Sequence, residues 1–183
     1  MAEASVPPVV VWICGMISSR REWLDAAAGE LARAFGPVDI AGEVMDFDFT
    51  HYYDRQMGAP LLRQFVSFRQ APPPDALVEA KLRTNAVEAD FAARHGRPDL
   101  PRPVNLDVGY VESSKLILAS MKNFSHRIYL ARGVYAEVTL LYRRGRWEPL
   151  GWTFPDYRSG RYDAFLSSAR ARLPAHDEKE TRG

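Results

Sequence analysis

One cysteine stands among the 183 residues, so no internal disulfide can form and a thiolate metal cluster is excluded. That residue, Cys14, lies inside the apolar run VVVWICG (Val9 to Gly15), where a free cysteine is expected to act as a small core residue rather than a nucleophile. No stretch approaches the roughly 20 apolar residues that a membrane helix needs. The valine-rich run also lacks the basic flank and cleavage site of a signal peptide. The chain therefore reads as soluble and cytoplasmic, with no membrane partner. Charge of one sign is not in excess either: 24 Lys and Arg against 23 Asp and Glu leave +1, which offers no global attraction for nucleic acid or anionic lipid.

Several chemistry-bearing patterns are missing. There is no GxxxxGK[ST] phosphate loop, no GxGxxG after a strand, no HExxH and no GxSxG. The histidines His51, His95, His126 and His176 are too scattered for ligand spacing, so no dedicated metal site is expected.

What is present is a globular composition, 46% hydrophobic and 26% charged, on a chain long enough to bury a core without staples. It reads as a single domain over 1–183, with an ordered core from about residue 9 to 173 and a charged tail, AHDEKETRG, at 175–183. Val9 to Cys14 predicts a strand buried on both faces and closed by Gly15. Ser19 and Glu22 have the form of a capping box, and the apolar residues from Trp23 to Phe35 recur at helical spacing up to Gly36-Pro37. Val38 to Phe49 reads as a second strand, THYYDRQMGAP as a polar and aromatic loop, and Leu61 to Arg69 as a third strand. A helix follows from Asp75 to His95, with Leu77, Ala80, Thr84, Val87 and Phe91 as its buried stripe. Val104 to Leu106 supplies another strand, and Gly109 to Glu112 a turn. This β-α-β, β-α-β succession predicts an α+β fold: a ferredoxin-like split βαβ core with an antiparallel sheet, extended by a C-terminal β-hairpin and a terminal helix over Asp156 to Leu173. Residues 113–123 fit either a short helix or a strand.

The stretch Val104 to Tyr142 joins strand-like apolar runs to a dense set of polar residues. A three-residue loop, Ala131-Arg132-Gly133, would set Leu130 opposite Val134, Tyr129 opposite Tyr135 and Arg127 opposite Glu137. One face would then be core, with Ile128 and Leu130 in it and His126 on the same side. The other would carry Arg127, Tyr129, Tyr135, Glu137 and Thr139. That second face is either a solvated surface stiffened by an ion pair and an aromatic pair, or a ligand platform with Arg127 on an anion, Tyr129 or Tyr135 on a base and Glu137 as a base or acceptor. Asn105, Asp107 and Tyr110 follow a strand-end alternation that suits a cleft or an Asx turn, with Lys115 the nearest cation. Lys81, Asn85 and Glu88 make one polar stripe on the second helix, ordinarily a solvated face. The loops 48–53 and 152–158 mix aromatics with charges and could wall a pocket.

FDFTHYYDRQMG, KLRTNAVE, VNLDVGYVESSKLILAS, HRIYLARGVYAEVTLLY and WTFPDYR, in this order, resemble an uncharacterised bacterial family, the domain of unknown function "four-four-one-six". The resemblance spans Val9 to about Leu173. It implies that Tyr52, Tyr53, Lys81, Asn85, Asn105, Asp107, Tyr110, Lys115, His126, Arg127, Glu137, Asp156 and Tyr157 matter together. Val108 departs from the small residue or proline expected after Asp107. Members are often labelled GTP-binding proteins, although neither a phosphate loop nor an N/TKxD base-reading motif occurs here.

Three functions compete. The first is binding of a small anionic ligand, a nucleotide among the candidates, through Lys81, Lys115, His126 and Arg127 with nearby tyrosines. The second is an acid–base enzyme using His126, Glu137 and Asp107 as catalytic residues. The third is an RNA- or partner-binding scaffold, against which the near-zero net charge counts for RNA. The oligomeric state stays open.

Overall fold

The computed structural model describes residues 6–50, 52–70 and 72–174. The tail at 175–183, His51 and His176 lie outside the described residues. The first strand, β1 (Val11–Ser18), is buried at all eight positions and does not stop at Gly15. It runs on because the missing side chain of Gly15 leaves room for Arg63 and Phe65 from the neighbouring strand; a Cβ there would lie 2.8 Å from the Phe65 ring. Helix α1 (Arg21–Phe35) follows, with no side-chain cap. The expected capping box of Ser19 and Glu22 is thus not formed. Instead the Ser18 hydroxyl donates to the Pro103 carbonyl (2.8 Å) and accepts from the Arg20 N–H (3.3 Å).

The strand expected over Val38 to Phe49 is two short pieces, β2 (Val38–Ala41) and β3 (Met45–Asp46), separated where the Gly42 N–H donates to the Phe65 carbonyl. The aromatic loop after it holds one helical turn, α2 (Asp54–Met57). β4 (Leu62–Phe68) leads through a single 3₁₀ turn (Pro74–Ala76) into α3 (Leu77–His95), whose buried side chains are Leu77, Ala80, Lys81, Thr84 and Phe91. The rest is β5 (Val104–Val111), β6 (Lys115–Ser120), β7 (Ile128–Ala131), β8 (Val134–Arg143), β9 (Arg146–Pro149), α4 (Pro155–Arg158) and α5 (Asp163–Arg170).

β5 therefore passes straight through the predicted turn at Gly109, where the backbone of Ile117 lies so close that a Cβ would collide with its carbonyl. The chain reverses instead at 112–115, where the Glu112 N–H donates to the Lys115 carbonyl. Residues 115–120 are strand, as their adjacent apolar residues require once both faces are covered. The predicted terminal helix is broken in two at Gly160, whose φ of 76° lies in the left-handed region.

Among the described residues the sheet has nine strands, in the order β2-β4-β1-β5-β6-β8-β7, with β3 beside β4 and β9 beside β8, and each pairing is antiparallel. The protein is thus a mixed helix-and-sheet fold whose antiparallel sheet is larger than a simple four-stranded ferredoxin-like core. Alternation along β1 explains the layering. Trp12, Cys14 and Met16 face α1 and α3, packing on Leu24, Leu31, Leu77 and Phe91. Val11 and Ile13 face the other way, onto Tyr157, Tyr162, Phe165 and Leu166 of α4, α5 and their link. Among the described residues no helix is long and apolar enough to cross a membrane.

The hairpin β7–β8 turns on Arg132 (φ 52°) and Gly133 (φ 79°), a two-residue connection with both residues left-handed, as the twist of such hairpins favours. Tyr129 still meets Tyr135, with ring centroids 5.3 Å apart, while Leu130 is bulged out. The faces are not those expected. Ile128 is 69% exposed and Glu137 only 3%, because β7 is the sheet's edge and the 150–158 segment folds over β8. That segment supplies the Thr153 hydroxyl to the Thr139 carbonyl (2.6 Å) and the Trp152 indole N–H to the Val138 carbonyl (2.9 Å).

Candidate functional site

β5 and β6 form a fork. Only Gly109–Val111 of β5 pair with β6, through Leu116–Leu118, and the N-terminal half of β5 is left without a strand on that side. Its backbone is satisfied from α3 instead. The Glu88 carboxylate accepts from the Leu106 N–H (2.7 Å), and the Lys81 ammonium donates to the Leu106 carbonyl (3.0 Å). An unpaired buried peptide group would cost about 1–3 kcal/mol, so this substitution is what allows the sheet to open. The stripe Lys81, Asn85 and Glu88, which helical spacing alone reads as solvated, is the floor of the opening.

The cleft between the prongs has a volume of about 610 Å³, within the usual range for small-ligand sites. Ten of the sequence-predicted residues line it: Tyr52, Tyr53, Lys81, Asn85, Asn105, Asp107, Arg127, Glu137, Asp156 and Tyr157. Four do not. Tyr110 is turned to the helical face, edge-on to Trp12. Lys115 pairs with Glu112 at 2.7 Å, at the closed end of the fork. Tyr135 packs on Tyr129. His126 sits behind Glu137, its ring stacked between Phe124 and Trp152.

Two buried arginines organise the walls. Arg63 is 2% exposed and lies over the Phe65 ring at 4.6 Å. Its guanidinium donates to Asp107 (3.2 Å) and to the Tyr157 hydroxyl (2.8 Å), while its Nε has no partner among the described residues. Burial works against this charge, but Tyr157, Asp107 and Asp156 outweigh it, and the guanidinium is held charged more firmly than usual. From Asp107 a polar chain runs outward. Asn105 donates to Asp107 (2.9 Å), Arg102 donates to Asn105, and Arg102 also pairs with Glu88 at 3.0 Å. Burial raises the Glu88 carboxyl above the ordinary range, with Arg102 and Lys81 pulling it partly back.

On the opposite wall Arg127 donates to Glu137 (2.6 Å), to the Ser120 hydroxyl (2.8 Å) and to the Lys122 carbonyl (2.9 Å). Glu137 also meets His126 Nε2 at 3.0 Å. Arg127 thereby ties the 121–126 loop to β8, and its Nε and Nη1 are committed inside the protein. His126 and Arg127, placed on opposite faces by simple alternation, converge on one carboxylate. Asp156, 6% exposed at the cleft wall, accepts from the Tyr162 hydroxyl (3.2 Å). Burial pushes its carboxyl upward, and Arg63 offsets only part of that. Burial likewise pushes the Tyr157 phenol well up.

Sequence reasoning missed Arg63, Arg102, Lys122 and Phe124, all in the cleft wall, and set Glu88 aside as solvated, while Phe154 lies in the loop expected to wall a pocket. Arg63 did leave a signal: one arginine inside the strand pattern LLRQFVSF. Among the described residues no group of three or more His, Cys, Asp or Glu is gathered so as to hold a metal ion.

A family model, Domain of unknown function (DUF4416), matches residues 8–173. No curated protein and no solved structure matches the chain. The chain belongs to the DUF4416 family.

Proposed function

We propose that this DUF4416 member binds a small anionic ligand in the β5–β6 fork. The observation that carries the reading is the charge of the cleft. Arg63, Lys81, Arg102, Lys122 and Arg127 line it against Glu88, Asp107, Glu137 and Asp156, five cations to four carboxylates. Two of those carboxylates are pushed toward neutrality by burial. Among the described residues Lys81 and Lys122 make no salt bridge, and Lys81 is 6% exposed with a single carbonyl as partner. Glu88, on the other side of the Leu106 peptide, is its nearby carboxylate and is itself shared with Arg102, so an anion in the cleft would offset the burial of the Lys81 ammonium. The β2-β4-β1-β5 order, with α1 and α3 on one face, supports a ferredoxin-like split βαβ unit as the scaffold.

A thermal-shift panel of phosphates, polyphosphates and dicarboxylates tests the reading. A ligand at about 100 times its Kd adds about 2.7 kcal/mol, a visible rise in Tm. Lys122→Ala, at an exposed position, is expected to weaken binding without changing the unliganded melt. A panel without response overturns the reading.

A second reading, an acid–base enzyme, is supported by the environments of two cleft carboxyls. Asp156 is pushed toward its neutral form, while Asp107 is hydrogen-bonded by Arg63 and Asn105. A carboxyl held toward its neutral form in a cleft suits a general acid, with a second carboxylate beside it. In this reading the acid is Asp156 rather than His126. Asp156→Asn would abolish turnover of the ligand and preserve its binding; a retained rate sinks it.

A further inference from the structure

The anion-binding reading leaves the aromatic side of the cleft unexplained. Tyr52, Phe124 and Phe154 line the cleft and remain 63%, 55% and 46% exposed. A lone exposed ring needs no explanation, but three around one cavity mouth do. The two phenylalanines are backed by the same cation: the Arg127 guanidinium lies 5.0 Å from the Phe124 ring centre and 6.0 Å from that of Phe154. The Arg127 side chain is only 4% exposed and His126 also stacks on Phe124, 5.9 Å between ring centres, yet both phenylalanines keep about half of their surface open. Arg127 is itself fixed by Glu137, Ser120 and the Lys122 carbonyl, which makes the aromatic wall preorganised.

The facing wall is polar. Lys81 uses one N–H on the Leu106 carbonyl and keeps the others. Asp107 is one-third exposed and receives both Arg63 and Asn105 on Oδ2, so Oδ1 remains an acceptor. The cleft thus offers ring surface on one wall, a cation at its floor, and an acceptor on the opposite wall. We infer that the anion it takes is a phosphate carried on a planar heteroaromatic ring, the class of the nucleoside phosphates. The ring lies on the aromatic wall, the phosphate on the Lys81 side, and a hydroxyl or ring N–H donates to Asp107. The inference rests on the anion-binding reading and adds the ring to it.

Calorimetric titration of the full chain with AMP, GMP and ribose 5-phosphate separates the two. Stacking of a base on an aromatic side chain is worth about 1–3 kcal/mol, or roughly 5- to 150-fold in Kd. A nucleotide is expected to bind at least about tenfold tighter than ribose 5-phosphate. In Phe124→Leu/Phe154→Leu that ratio should fall below about threefold, with the ribose 5-phosphate Kd unchanged. Equal affinities for nucleotides and ribose 5-phosphate in the wild-type protein overturn the ring and leave the anion-binding reading standing. The same holds if only dicarboxylates bind. No binding of any anion overturns both. The wild-type comparison decides the matter even if the double variant is unstable.

Discussion

The two arginine–carboxylate centres of the cleft have opposite characters. Arg127 and Glu137 are both nearly sealed, at 4% and 2% side-chain exposure, and each has several partners. Arg63 is equally sealed at 2%, but its carboxylate is 33% exposed and its own Nε is unpartnered. The first centre is a strut: it holds the 121–126 loop against β8. The second faces an opening, with one end left to interact with something else. A buried ion pair by itself is weak evidence of stabilisation, and its meaning depends on whether every polar atom around it is answered.

Mutation can break this contrast. Arg127→Ala strands Glu137 in the interior, with His126 and Thr139 as its remaining hydrogen-bond partners, and is expected to cost about 3–5 kcal/mol in urea denaturation. Replacing both partners, as Arg127→Met/Glu137→Leu, should recover most of that loss; no recovery would mean the strut works through packing rather than charge. Gly15→Ala presses a methyl group into the space of the Arg63 guanidinium and the Phe65 ring and should cost about 1–3 kcal/mol, as overpacking does. Arg63→Met should change stability by no more than about 1 kcal/mol, since Asp107 can turn to water, while anion binding weakens. A loss as large as that of Arg127→Ala would erase the distinction between the two centres.

The smallest expected effect sharpens the comparison through pH. Burial raises the Asp156 carboxyl above its ordinary value. Between the ordinary value and the raised one, the native state keeps a proton that the unfolded chain has lost. Stability therefore falls as pH rises through that window and stays lower above it. Asp156→Asn, with its amide oxygen still able to accept from Tyr162, should be more stable than the wild type at neutral pH and no more stable in acid. Urea midpoints across that range read the difference directly.

Much of the scaffold was legible from local pattern. The apolar run at Val9 to Cys14 leads into β1, buried on both faces from Val11, and the apolar spacing from Trp23 to Phe35 is α1, because both signals depend on near neighbours. The polar clusters in the quoted segments also reach the cleft in large part, from five separate stretches of chain. The errors share a cause. The face of β8 was assigned by alternation, but Glu137 is buried by residues 150–158, which return from beyond the next hairpin. His126 and Arg127 precede β7 in the Phe124–Arg127 turn, where strand alternation does not apply. The burial of Arg63 and of Lys81, the latter already a candidate ligand residue, was hidden for a related reason. A charged residue in a strand or helix predicts solvent unless distant groups receive its charge, and here those groups are Tyr157 and Asp107 for one and the Leu106 carbonyl for the other.

Periodicity and turn chemistry thus suffice for the elements and for the residues that could carry chemistry, since both act over a few residues. The fork between β5 and β6, the sealing of Arg63 and the covering of Glu137 arise from contacts between segments tens of residues apart. They exist only once the nine strands have taken their order and α4 and α5 have closed over the second face.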